Sequence, residues 1–309
     1  MVYNKYGDKM NKVVVIGCGK VGMAYIFALI SGENNVSEIV MIDADKSKLE
    51  GEKMDLCHAL SYATGNIKLK LGDYNDLADA DIVCITAGPS QSDNDRLADL
   101  TKAKIIYQDI FEKINKTKFN GILLIASNPL DVMSYYAYRL SNLPQEHIIG
   151  SGTSLDTSRL GYMISEKVNI NPKSIQAYVI GEHGNSELVV WSSANIAGQN
   201  INKFLTKDEM HELEEKVKRA AFEIIERKGA TYYGIAMSLV RITNAILDDE
   251  SVVIPVSNYD ARNDVYISTT CVIGRDGIKQ RIYMDLNDDE KEKLQNSIDI
   301  VKKAISSLK

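Results

Sequence analysis

The run VVVIG at 13–17 leads straight into Gly17-Cys18-Gly19-Lys20-Val21-Gly22, and a helix-like apolar stretch at 21–30 follows. Few folds accommodate that order. The chain must turn tightly at Gly17, leave the backbone approachable at Gly19 and pack a helix hard against the strand at Gly22. The free N–H groups and dipole at the start of such a helix suit a pyrophosphate. The next buried strand, at 38–42, ends in Asp43, 21 residues after Gly22. A carboxylate there can accept both ribose hydroxyls of NAD and would repel the 2′-phosphate of NADP. The glycine motif alone is a weak sign; its strand, helix and distant acid give it weight.

Further apolar runs at 67–71, 81–86 and 121–127 alternate with helical patterns, the longest at 97–118. The run at 81–86 gives way to Ala87-Gly88. Short apolar strands separated by helices imply parallel pairing with right-handed crossovers. The second half differs. Helices are expected at 154–168, 208–227 and 231–247, and strands at 174–180 and 187–191 flank a turn at 181–186. A β-rich block follows at 251–256, 266–273 and 278–283, with a hairpin turn at 275–277. The last helix aligns Leu294, Ile298, Val301, Ile305 and Leu308 on one face. The expected fold is α/β: a Rossmann-type doubly wound parallel sheet over 1–150, followed by an α+β substrate-binding and catalytic domain over 151–309. No linker is evident, so the two should share a broad interface.

With 309 residues, 45% of them hydrophobic, the chain can bury a large core without disulfide or metal staples. Its net charge of −6 offers no basic footprint for nucleic acid. Cys18, Cys57, Cys84 and Cys271 are scattered without a C-x-x-C pair, which argues against a zinc site and suits a reduced compartment. The stretch before Val13 has charges and no apolar run, so neither a signal peptide nor a membrane span is expected. A cytoplasmic location with no metal, nucleic-acid or membrane partner is the simplest expectation.

Four histidines are available. His183 lies in Gly181-Glu182-His183-Gly184, where an apolar run ends in a glycine-flanked turn, and histidine suits a reaction that moves a proton near neutral pH. His58, His147 and His211 fit ordinary helix or strand-end positions. Asp156 and Arg159 stand three apart at a helix start, so both can face one pocket. A carboxylate beside His183 would orient its ring and raise its pKa. Arg159 could clamp a substrate carboxylate bidentately, although a plain surface ion pair would also explain the spacing.

TAGPSQ at 86–91, Arg96, Ser127-Asn128-Pro129, GSGTSLDTSR at 150–159, GEHGNSE at 181–187 and KGATYYGIA at 228–236 together make the resemblance specific. The chain resembles the L-lactate dehydrogenase and L-2-hydroxyisocaproate dehydrogenase family. That resemblance implies NAD as cofactor and a small 2-oxo/2-hydroxy monocarboxylic acid as substrate. It makes His183 the proton donor to the ketone oxygen and Asp156 its partner. Arg159 would hold the substrate carboxylate. Arg96, on a closing loop, and Asn128 would polarise the carbonyl. Thr231 would line the pocket, and Ile235 would press on the nicotinamide. Gly17, Gly19, Gly22, Asp43, Ala87, Gly88 and Asn128 would line the cofactor. The family is usually homotetrameric.

Three positions refine the expectation. Gln91 matches an uncharged residue of lactate enzymes where malate enzymes carry arginine, which disfavours dicarboxylates. The loop from Gln91 to Arg96 is one residue shorter than usual and lacks the usual glycine. Asn185 also stands where lactate enzymes usually have aspartate, so a bulkier 2-oxo acid competes with pyruvate. Gly161 and Gln176 fall where arginine and histidine normally bind fructose 1,6-bisphosphate, and neither can neutralise a phosphate. Activation by that sugar is therefore not expected. A non-catalytic nucleotide-binding protein is the remote alternative, with no need to keep these side chains together.

Overall fold

The computed structural model describes residues 11–89 and 96–307. The first half runs β1 (Asn11–Ile16), α1 (Lys20–Ser31), β2 (Val36–Ile42), α2 (Lys46–Ala59), β3 (Lys68–Leu71), β4 (Ile82–Ile85), α3 (Arg96–Ile114), β5 (Ile122–Ile125), α4 (Leu130–Leu140) and β6 (Ile148–Gly150). The second half begins with α5 (Ser154–Val168) and five two-residue strands: β7 (Ile175–Gln176), β8 (Val179–Ile180), β9 (Leu188–Val189), β10 (Asn195–Ile196) and β11 (Gln199–Asn200). It ends with α6 (Lys207–Lys228), α7 (Tyr233–Leu247), β12 (Val252–Asp260), β13 (Val265–Gly274), β14 (Gly277–Arg281) and α8 (Asp288–Ser306).

β3-β2-β1-β4-β5-β6 form a parallel sheet in that order, reversing direction of build between β1 and β4. Such a switch point is where open α/β sheets bind ligands. Strands β1, β4, β5 and β6 are buried throughout, because helices cover both faces. On one face Tyr25, Ile26 and Leu29 of α1 pack with Leu239, Ile242 and Ile246 of α7. On the other face Tyr107 and Phe111 of α3 join Met133 of α4 and Ile298, Val301 and Ile305 of α8. Leu308 lies outside the described residues. A smaller core, with Leu160 and Ile164 of α5 against Leu213 and Val217 of α6, supports the short strands.

The expected α/β class is what the molecule has, with one rearrangement. The β-rich block does not stand apart in the second half. It extends the first sheet, β12 pairing antiparallel with β6 at Ser257 and Gly150, followed by β13 and β14. Gly150 permits this close join: a Cβ there would sit 2.5 Å from Ser134 Oγ and 2.7 Å from Ser257 Cβ.

Other expected elements shift. The strands at 174–180 and 187–191 contract to β7, β8 and β9, because their neighbours are irregular turns rather than long partners. β12 runs past 256 to Asp260, its polar end buried because partners exist. Asn258 Nδ2 donates to Val256 O at 2.8 Å and Thr269 Oγ1 at 2.9 Å. α4 follows Pro129 at a place where no helix was expected. Among the described residues no helix is long and apolar enough to cross a membrane.

Candidate active site

The nucleotide end is built as its glycines require. Gly17 has φ +94°, and a Cβ there would meet Ala87 N at 2.4 Å. A Cβ on Gly22 would meet Gly17 O at 2.2 Å, so α1 crosses β1 closer than any side chain permits. Gly19 caps α1 without a side-chain hydrogen bond, and a Cβ there would meet no protein atom within 4 Å. The first turn of α1 is thus open to an anion. Asp43, at the end of β2, accepts from Cys18 N–H at 2.6 Å and from Asp45 N–H at 2.9 Å. Those two bonds tie it to the glycine turn and leave lone pairs for ribose hydroxyls. Ala87 N–H donates to Ile16 O at 3.1 Å, and Ser127 Oγ donates to Ala87 O at 2.6 Å. The ends of β1, β4 and β5 are thereby stitched together beside Gly88 and Asn128. This cradle fits a dinucleotide.

The chemistry end centres on Asp156 at the start of α5, 2% exposed. Its Oδ2 lies 2.7 Å from His183 Nδ1, and its Oδ1 accepts from Arg159 Nη1 at 2.7 Å. Facing a carboxylate, Nδ1 is the donor, which leaves Nε2 as the exchangeable proton site. Burial works against the imidazolium, but the Asp156 carboxylate outweighs it, with Asp131 adding, and His183 is pushed up to about 9. Burial likewise opposes the Asp156 charge, yet His183 and Arg159 hold its carboxyl below the usual value. At neutral pH the site therefore presents a protonated imidazole beside a guanidinium with free N–H groups. That arrangement can donate a proton to an oxygen whose anion it holds.

Residues 11–150 match the family model described as lactate/malate dehydrogenase, NAD binding domain, and 153–309 match lactate/malate dehydrogenase, alpha/beta C-terminal domain. The chain belongs to the lactate/malate dehydrogenase family. It is 44% identical to an L-lactate dehydrogenase of Halalkalibacterium halodurans, over 95% of this chain and 96% of that one. It is 42% identical to an L-lactate dehydrogenase of Bacillus pumilus, covering 97% and 98%. Among solved structures, a lactate dehydrogenase from a deep-sea metagenome library superposes with TM-score 0.92 at 42% identity, covering 97% of this chain and 99% of that one. The minor L-lactate dehydrogenase of Enterococcus mundtii, in a ligands-bound form, also gives 0.92, at 34% identity over 97% and 99%. As a member of the lactate/malate dehydrogenase family the chain is an NAD-dependent oxidoreductase of 2-hydroxy acids.

Within this family member, Asp156 contacts both His183 and Arg159. Asn128 is exposed at the end of β5, Thr231 is half-buried before α7, and Ile235 is half-buried against the core of α1 and α7. Gln91 lies outside the described residues. Arg96 was expected on a loop, but its backbone opens α3; its side chain lies outside what is described. Sequence reasoning missed three groups. Asp131 accepts from His183 N–H at 2.7 Å and from Ser257 Oγ at 2.5 Å. Its signal was an acid inside an apolar stretch just after Asn128-Pro129. Ser257, 126 residues away from Asp131, had no local signal. Glu187 stood within GEHGNSE but was read only as part of the motif.

Proposed function

We propose that this chain is an L-lactate dehydrogenase that reversibly reduces pyruvate to L-lactate. The observation that carries this reading is Asp156, shared at 2.7 Å between the His183 ring and the Arg159 guanidinium. It joins a proton donor to a carboxylate anchor in one buried unit. When bound in its reduced form, NADH would supply the hydride that carbon 2 receives in the reducing direction. The chain's own groups do the rest. Arg159 takes the substrate carboxylate, and His183 Nε2 gives its proton to the ketone oxygen. Asp156 keeps the imidazole charged until then. Arg96 and Asn128 stabilise negative charge on that oxygen. Gly17, Gly19, Gly22, Asp43, Ala87 and Gly88 would hold the dinucleotide and Ile235 would bear on its nicotinamide, while Gln91 and Thr231 would shape the substrate side.

The molecule divides by role at residue 150, the first part binding NAD and the second carrying His183 and Arg159. It works in the cytoplasm as a homotetramer. The homotetramer follows from the family resemblance. It needs no fructose 1,6-bisphosphate. Around Gly161 a Cβ would meet only Pro172 O, at 3.9 Å, among the described residues, and Gln176 is exposed, its side-chain oxygen accepting from Asn195 Nδ2 at 3.2 Å.

Following NADH oxidation with pyruvate, 2-oxobutyrate, 4-methyl-2-oxopentanoate, phenylpyruvate and oxaloacetate tests the reading. Pyruvate should have the highest kcat/KM. A win for oxaloacetate would remove the role given to Gln91, and one for 4-methyl-2-oxopentanoate would shift the enzyme to the hydroxyisocaproate branch.

A further inference from the structure

Glu187 follows His183 by four residues, just before β9, and only 5% of it is exposed. Donor atoms of Glu187, Asp156 and His183 all lie within 4.8 Å of one another, the one such trio among the described residues. The charged groups facing Glu187 are Asp156 and Arg159 from α5 and His183 from its own turn; Asp131 of α4 reaches that turn through His183 N–H. The trio has the donor types of a metal site. However, each oxygen of Asp156 already faces a positive group, one a guanidinium and one an imidazolium, although each keeps a lone pair for a neutral donor. A cation would have to displace a charge that is covalently tethered in place.

A proton fits this arrangement better. Two carboxylates buried at this distance repel, and low dielectric magnifies the cost. The relief is to protonate one of them. Asp156 is held ionised by two cations, so the proton belongs on Glu187, whose pKa burial and Asp156 raise well above the ordinary range. Neutral Glu187 is then a donor, and Asp156 is the acceptor it meets.

We infer that Glu187 is a positioning residue for the proposed reaction, held as the neutral acid whose O–H donates to Asp156, the partner of the His183 ring. It fixes the carboxylate that orients the imidazole. By staying uncharged it also avoids a second negative charge beside the guanidinium that is to receive an anionic substrate. This rests on reading His183 as the proton donor and Arg159 as the carboxylate anchor.

The test compares the full-length protein with Glu187→Gln, which keeps the shape and a donor, and Glu187→Ala, which keeps neither. At pH 7 the infrared spectrum of the parent should show a protonated-carboxyl C=O band that Glu187→Gln lacks. Glu187→Gln should hold kcat and pyruvate KM within about three-fold of the parent and leave the alkaline limit of kcat/KM in place. Glu187→Ala should lose about ten- to a hundred-fold in kcat/KM, the scale of one lost hydrogen bond to a charged group. Absence of the band overturns the inference. So does a Glu187→Gln variant as impaired as Glu187→Ala, or one whose alkaline limit falls as though an anion had been removed. If the parent turns over no 2-oxo acid, the functional reading fails, while the infrared band still decides the protonation state of Glu187.

Discussion

Asp156 decides the charge state of the whole pocket. Removing its charge leaves burial as the largest influence on His183, and burial disfavours the imidazolium. The parent should therefore reduce pyruvate with an alkaline limit near pH 9, where His183 loses its proton. Asp156→Asn should bring that limit down toward or below 6.5 and cut kcat/KM at pH 7 by about 10²–10⁴-fold, the usual scale of acid–base catalysis. A pH–rate profile of the two proteins checks this, and an unmoved limit would show that Asp156 does not set the imidazole's affinity. The same linkage acts on stability. Because the folded pKa of His183 lies above its ordinary 6.5, its contribution is complete below 6.5 and is lost as pH rises through about 9. Arg159→Lys keeps the charge but loses the planar fork. Pyruvate KM should rise by about 2 kcal/mol or more, roughly thirty-fold, with a smaller change in kcat.

The turn carrying His183 is gripped by three elements. Gly181 N–H donates to Ser268 O at 2.9 Å, and Ser268 N–H returns the bond at 3.0 Å, so β13 holds its start. Glu182 N–H donates to Ser297 Oγ of α8 at 2.6 Å. Asp131 of α4 holds His183 N–H, and Ser257 of β12 holds Asp131. Burial pushes the Asp131 carboxyl up to about 6, while Ser257 and His183 N–H pull against it. Its ionised form near neutral pH therefore leans on those two donors. Ser257→Ala should cost about 1–3 kcal/mol, the penalty for leaving a buried polar group short of a partner. Urea unfolding at pH 7 measures it. An unchanged midpoint together with unchanged kcat would show that this chain of bonds carries no strain from α4 to the active site.

At the scale of the molecule, one continuous sheet joins the nucleotide cradle to the elements that hold the catalytic turn. The fold needs no hinge between β6 and β12, because their pairing is direct. The proposed homotetramer is the prediction that belongs to this scale. Light scattering after gel filtration should give about four chain masses, and a stable monomer would refute it. Fructose 1,6-bisphosphate should leave pyruvate KM within about two-fold, since Gly161 and Gln176 supply no charge for a phosphate. A large fall in KM on adding it would place the anion elsewhere.

Local pattern was enough for much of this protein. The glycine spacing at 17–22 demanded a tight turn and a close helix, and the i, i+3 spacing put Asp156 and Arg159 on one face. Apolar periodicity marked α6, α7 and α8 because alternation between core and water is written into neighbouring residues. What pairs with what across the chain was decided only in the tertiary structure. The join of β12 to β6 depends on room left by Gly150 against Ser134 and Ser257, residues from three separate segments. Asp131 looked like any acid in an apolar stretch until Ser257 and the His183 amide met it. Glu187 was visible in its motif, but its protonation follows from burial beside Asp156. Charge state is a property of surroundings, and surroundings are assembled from residues far apart in sequence.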